Sequence, residues 1–187
     1  AELLKQVSPM HDIGKVGIPD NILNKPGKFT DKEFEIMKQH SKIGYDMLSG
    51  TDKPLLKAAS IVAYEHHEKW SGGGYPRGIK NENINIYARI TTVADIFDAL
   101  LSRRIYKEPW TINEVIEYFE TEKGKIFDPY IVELFLENID KVIEIREEAK
   151  ANDQKDVILG TVFVLRLLLS IVTIVTISVV AYINETD

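Results

Sequence analysis

Cysteine is absent from the 187 residues, which excludes disulfides, thiolate-held zinc and iron–sulfur clusters together. Basic charge is in short supply: 23 Lys and Arg face 29 Asp and Glu, for a formal net charge of −6. That balance argues against a protein that coats a nucleic acid polymer. It leaves room for a small anionic ligand held by a local group of cations. Convincing strand alternation is missing, and β-branched runs before residue 155 are short, so the soluble part reads as all-α. No internal repeat or low-complexity tract stands out. The opening Ala-Glu-Leu-Leu-Lys has neither an initiating Met nor a signal-peptide pattern. It reads as the inside of a helix, so the chain is expected to continue upstream.

Three parts follow from the pattern. Residues 1 to about 125 alternate helical stretches with Gly/Pro loops, 126 to about 155 form a charged helical coda, and 157–183 are almost wholly apolar. Thr30-Asp-Lys-Glu33 and Thr111-Ile-Asn-Glu114 both have the capping-box form, a Thr N-cap with Glu three residues later. The first predicts a helix to about Leu48 carrying His40. A second, about Pro54–Lys69, is expected to carry His66 and His67 near its end and to stop at Ser71-Gly72-Gly73-Gly74, where glycines cannot sustain helix. Further helices are predicted from about Asn85 to Ser102 with Asp95, over 112–122, and over 130–150. Met10, Met37 and Met47 read as packing residues.

Histidine is also scarce, and its placement is informative. All four histidines fall in the set His11-Asp12, His40, His66-His67 and Asp95. Imidazole and carboxylate are ligands for divalent iron, manganese or zinc. Adjacent helix residues point about 100° apart, so one small ion rarely takes both members of a mid-helix pair. Two or three neighbouring ions bridged by a carboxylate can. Such sites activate water and clamp a phosphoryl group, which points to metal-assisted phosphoester hydrolysis. Gly14 and Gly17 interrupt any helix after Asp12, predicting a turn that aims Lys15 at the site. The glycines before Tyr75 let backbone approach a ligand closely, and Tyr75 can stack on a base. Arg103-Arg104-Ile105-Tyr106-Lys107 is a cation cluster suited to phosphate.

These residues carry a resemblance. His11-Asp12-Ile13-Gly14-Lys15 with Gly17-Ile18-Pro19-Asp20 resembles the HD motif of the HD-domain phosphohydrolases. His66-His67-Glu68-Lys69-Trp70 followed by Gly74-Tyr75-Pro76-Arg77-Gly78 resembles the HD-GYP subfamily, the bacterial cyclic di-GMP phosphodiesterases. Ala94-Asp95-Ile96-Phe97-Asp98-Ala99-Leu100 and Phe127-Asp128-Pro129 extend the match over about residues 1–140. The resemblance implies an HD-domain helical bundle over 1–150, lacking its first helices, with a further Glu and His ligand upstream of Ala1. It implies that His11, Asp12, His40, His66, His67 and Asp95 hold two or three divalent ions, iron or manganese, with Asp12 as a bridge. Lys15 and Asp12 would serve catalysis. Arg104 and Lys107, more weakly Arg77, would hold phosphate, and Tyr75 would shape the dinucleotide pocket. Asp98 is expected to support or cap rather than ligate. The implied activity is hydrolysis of cyclic di-GMP to pGpG and GMP. Candidate protein partners are a GGDEF diguanylate cyclase or a second copy. Ser71, Gly73 and Ser102-Arg103-Arg104-Ile105 depart from the usual family residues, which bears on ligand preference. The alternatives are a catalytically impaired cyclic-dinucleotide-binding or partner-docking module, or an HD hydrolase of another phosphorylated nucleotide.

The apolar segment 157–183 holds about 27 residues with one charge, Arg166. As a helix it would span about 40 Å against a hydrocarbon core of about 30 Å. Lys150 and Lys155 precede it and Glu185 and Asp187 follow. A transmembrane helix is therefore expected, with the catalytic part on the cytoplasmic side of the inner membrane.

Overall fold

The computed structural model describes residues 2–102 and 108–153. Among them the elements are helical: α1 (Glu2–Val7), two 3-10 turns (Ser8–Met10 and Ile13–Gly17), α2 (Asp20–Leu23), α3 (Asp31–Leu48), α4 (Pro54–Glu65), a 3-10 turn (Asn81–Asn83), α5 (Ile86–Leu101), α6 (Ile112–Glu122), α7 (Pro129–Glu137) and α8 (Ile139–Asp153). The described residues contain no strand, only a single bridge between Lys123 and Phe127.

Both capping boxes form. Thr30 Oγ1 accepts from the Glu33 amide while Glu33 Oε2 accepts from the Thr30 amide at 2.7 Å, and Thr111 and Glu114 repeat the arrangement on α6. Two of the four orphan amides at each helix start are thereby satisfied. Asn85 caps α5 and Asp128 caps α7 through side-chain oxygens that accept from Tyr87 and Tyr130 amides.

The core lies between α1, α4, α5, α6 and α7. Ala58 and Ala59 keep α4 narrow, so Leu4 and Val7 of α1, Val93 and Phe97 of α5, and Val115 and Phe119 of α6 close over it. Phe119 stacks on Phe127 at 4.5 Å between centroids, and Phe97 meets Phe135 edge-on at 5.1 Å. Burial of each such ring stabilises by roughly 1.5–3 kcal/mol. A smaller cluster of Ile18, Ile22 and Met37 fastens the 3-10 segment and α2 to α3.

Three expectations are corrected. Helix α4 ends at Glu65, four residues early, with His66 as its C-cap and His67 beyond it. The chain turns there because tertiary partners replace the helical ladder: His67 O accepts from the Tyr75 amide, and the Trp70 and Ser71 amides donate to Ile126 and Lys125. The helix predicted over 130–150 is two helices, broken at Asn138, whose side-chain amide donates to Leu134 O at 2.8 Å. Met47 is 53 % exposed rather than packed. Arg104, Lys107 and the apolar segment 157–183 lie outside the described residues. No helix among the described residues is long and apolar enough to cross a membrane.

Candidate metal centre

Four elements meet at one point. His11 and Asp12 sit between the two 3-10 turns, His40 on α3, His66 and His67 at the end of α4, and Asp95 on α5. Gly14 makes this approach possible: a Cβ there would stand 1.9 Å from His40 O and 2.4 Å from the Gly44 amide nitrogen. The backbone of the HD turn therefore lies directly against α3, as only glycine permits. The turn expected around Lys15 is present.

One ligand atom from each of Asp12, His40, His66 and His67 lies within 4.8 Å of the others. The orientation of the rings follows from local hydrogen bonds. Nδ1 of His11 donates to Ser8 O at 2.8 Å, Nδ1 of His40 to Met37 O at 2.7 Å, and Nδ1 of His66 to Val62 and Ala63 carbonyls at 3.1 Å. These bonds assign the Nδ1–H tautomer and leave each Nε2 lone pair facing inward. Nε2 of His40 and Nε2 of His66 are only 3.3 Å apart. Two facing lone pairs repel, whereas two nitrogens bound to one ion at about 2.0–2.1 Å lie about 3 Å apart. The donor set and its geometry fit a divalent transition metal.

Asp12 divides its oxygens. Oδ1 faces His40 Nε2 at 3.4 Å and His66 Nε2 at 3.8 Å, while Oδ2 faces His11 Nε2 at 3.3 Å and Lys15 Nζ at 2.5 Å. His11 Nε2 is in turn 3.7 Å from Asp95 Oδ1. The carboxylate thus stands between a His40–His66 side and a His11–Asp95 side.

Electrostatics keep most of these rings neutral. Burial and the neighbouring imidazoles push His66 well below the ordinary histidine value, and burial with His40 pushes His67 down to about 3. Burial likewise lowers His40. On His11 burial also acts downward, but the Asp12 hydrogen bond and the Asp12 and Asp95 charges outweigh it and raise the value. Burial opposes ionisation of Asp12, yet His11 and Lys15 hold it far below the usual carboxylate range. Neutral imidazoles around an ionised carboxylate are the protonation states that bind metal.

Tyr75 covers the centre, its ring stacked on His67 at 4.6 Å and edge-on to His40 at 6.4 Å. Its loop is held by two acids, Glu65 in α4 and Glu68 of the His-His-Glu-Lys-Trp motif, to which the sequence alone assigned no role. Buried Glu65 pairs with the Arg77 guanidinium and accepts from the Asn85 amide at 2.6 Å. Glu68, 2 % exposed, accepts from the Arg77 and Gly78 amides. Arg77, expected to hold phosphate, also lies over the Tyr64 ring. Gly74 makes its close approach to the 67–69 backbone, with Glu68 Cα 2.5 Å from where a Cβ would stand. Arg89 pairs with Asp128 at 2.6 Å and lies over Trp70, so the Phe-Asp-Pro motif buttresses this loop. Asp98 accepts from Arg146 and Ser102 at 3.3 Å.

The HD domain family model matches residues 4–131, and the chain belongs to the HD domain family. Its relatives are of the HD-GYP type. A cyclic di-GMP phosphodiesterase of Thermotoga maritima is 47 % identical over 146 residues, covering 78 % of this chain and 40 % of the relative. A 3'3'-cGAMP-specific phosphodiesterase 2 of Vibrio cholerae is 46 % identical over 146 residues, covering 78 % of this chain and 28 % of the relative. The cyclic di-GMP phosphodiesterase response regulator RpfG of Xanthomonas campestris pv. campestris is 45 % identical over 134 residues, covering 72 % and 35 %. The chain thus spans between 28 and 40 % of the length of these relatives.

Proposed function

We propose that residues 1–150 form a metal-dependent phosphodiesterase that hydrolyses cyclic di-GMP to pGpG and GMP in bacterial signalling. The observation that carries this reading is the convergence of Asp12, His40, His66 and His67 within 4.8 Å, with the Nε2 lone pairs of His40 and His66 turned toward each other. The substrate is supported by relatives named as cyclic di-GMP phosphodiesterases at 45–47 % identity. Imidazole and carboxylate donors without thiolate suit iron or manganese, and His11, Asp12, His40, His66, His67 and Asp95 are the proposed ligands of two or three ions. The two faces of the Asp12 carboxylate support a bridging role. When bound, such ions activate water and polarise a phosphoryl oxygen.

The chain's own residues supply the rest. Lys15 holds Asp12 Oδ2 and leaves its ammonium at the edge of the site, where it offsets charge developing on phosphate. Burial and the charges of Asp12 and Asp95 raise the Tyr75 phenol far above its ordinary value, so its hydroxyl stays protonated and able to donate. Arg104 and Lys107 are the proposed phosphate holders, and Arg77, paired with Glu65, fixes the loop. Residues 157–183 attach the domain to the inner membrane from its cytoplasmic side, a reading supported by their length, their single charge and the lysines before them.

Purified anaerobically, the protein should hold at least two transition-metal equivalents and release pGpG or GMP from cyclic di-GMP. Asp12→Ala should lose more than one equivalent, because a bridge anchors two ions. Elemental analysis finding no bound metal in the folded wild-type protein would overturn the catalytic reading.

A further inference from the structure

Phe34 is a large apolar ring left 42 % exposed on the first part of α3. It is not isolated. Its edge meets Tyr75 at 6.2 Å and 84°, and Lys38, one turn on, places Nζ 4.9 Å from the Phe34 centroid and 5.7 Å from that of Tyr75. Tyr75 in turn stacks on His67. A continuous aromatic wall therefore runs from the metal centre outward to Phe34, with an ammonium beside its outer half. Leaving Phe34 in water forgoes part of the free energy a buried ring contributes, and an exposed aromatic with a neighbouring cation is how proteins receive an unpaired base and its phosphate.

We propose that Phe34 and Lys38, with Tyr75, form a subsite that receives one purine base of a cyclic dinucleotide whose scissile phosphate lies at the metal centre. This deepens the phosphodiesterase reading and rests on it for the substrate. The Phe34 ring stacks on the base, and Lys38 Nζ, which also bonds Glu35 at 2.6 Å, offsets charge on the phosphate beside it. Because every base has a π-face, the subsite rewards a dinucleotide without selecting guanine over adenine.

The test compares cyclic di-GMP with bis(p-nitrophenyl) phosphate, a diester without bases, on the full chain loaded with manganese. Equilibrium binding of cyclic di-GMP is measured in parallel. Phe34→Ala should weaken cyclic di-GMP binding about 5–150-fold, the range for one lost base stack, and should lower the preference for cyclic di-GMP over the baseless diester by a similar factor. The effect should appear in KM rather than kcat, and Phe34→Trp should restore it. Lys38→Ala should weaken binding in the same direction and Lys38→Arg should not. Unchanged binding by Phe34→Ala, or no binding of cyclic di-GMP by the wild type, overturns the subsite. Binding that depends on Phe34 with neither diester hydrolysed sustains the subsite and overturns the phosphodiesterase reading.

Discussion

Replacing Gly14 by alanine perturbs the centre sharply while removing none of its candidate ligands. The added Cβ would stand 1.9 Å from His40 O and 2.4 Å from the Gly44 nitrogen, both backbone atoms in the middle of α3. Ordinary contact begins near 3.4 Å, so the HD turn and α3 must separate by about 1.5 Å. Asp12 Oδ1 and His40 Nε2 stand 3.4 Å apart across that same seam, whereas coordination distances hold to within about 0.2 Å. The variant should therefore lose stability and metal together. Overpacking of this kind costs roughly 1–3 kcal/mol, which for a domain of about 150 residues lowers Tm by about 2–12 °C. Melting in chelator separates the packing cost from the loss of metal, and elemental analysis reads the second effect directly. Gly50→Ala is the control, since nothing lies within 4 Å of its Cβ. A Gly14→Ala protein that matches this control in both Tm and metal content would refute the close-packing account.

Two further outcomes follow from charge and hydropathy. Glu33 has a folded pKa lowered from 4.5 to about 2 by Lys25 and the Thr30 cap, so it stabilises the fold above pH 4.5 and loses that contribution as pH falls toward 2. The stability gap between wild type and Glu33→Gln should be present at neutral pH and should close between pH 4.5 and 2; a gap that persists at pH 2 contradicts the assignment. Deleting residues 157–187 should move the protein from membranes to the supernatant while its helical circular dichroism and melting transition survive, and a full-length chain that stays monomeric without detergent would refute the membrane span.

How much could be read beforehand depended on range along the chain. Thr30 with Glu33, and Thr111 with Glu114, are contacts three residues apart, so their capping boxes were legible as written. The candidate ligand positions stood out because histidine is scarce, and the fold brings Asp12, His40, His66 and His67 together with His11 and Asp95 beside them. The end of α4 was not, because the groups that stop it are far away in sequence: Tyr75 for His67 O, and Ile126 and Lys125 for the Trp70 and Ser71 amides. Glu65 and Glu68 look like ordinary helix acids until those contacts turn them toward the loop. Phe34 and Lys38 lay within a periodic helix, where an exposed aromatic carries no signal without its spatial neighbours.

The loop around Tyr75 gains its position from both ends of the domain. Its start is fixed to the segment before α7 through the 125–126 carbonyls, and Asp128 holds Arg89 over Trp70 from the same side. Its far end is fixed to α4 and the start of α5 by Glu65, which links Arg77 to the Asn85 amide. Tyr75 therefore stands on His67 as part of a braced unit, so an aromatic wall beside the metal centre is held in place before any ligand arrives. The same economy operates at the other end of α5. Arg146 of α8, 3 % exposed, grips Asp98 and Ser102, which fixes where the chain leaves α5 ahead of Arg104 and Lys107. A buried guanidinium stripped of its carboxylate costs roughly 3–5 kcal/mol, so that exit point is strongly specified.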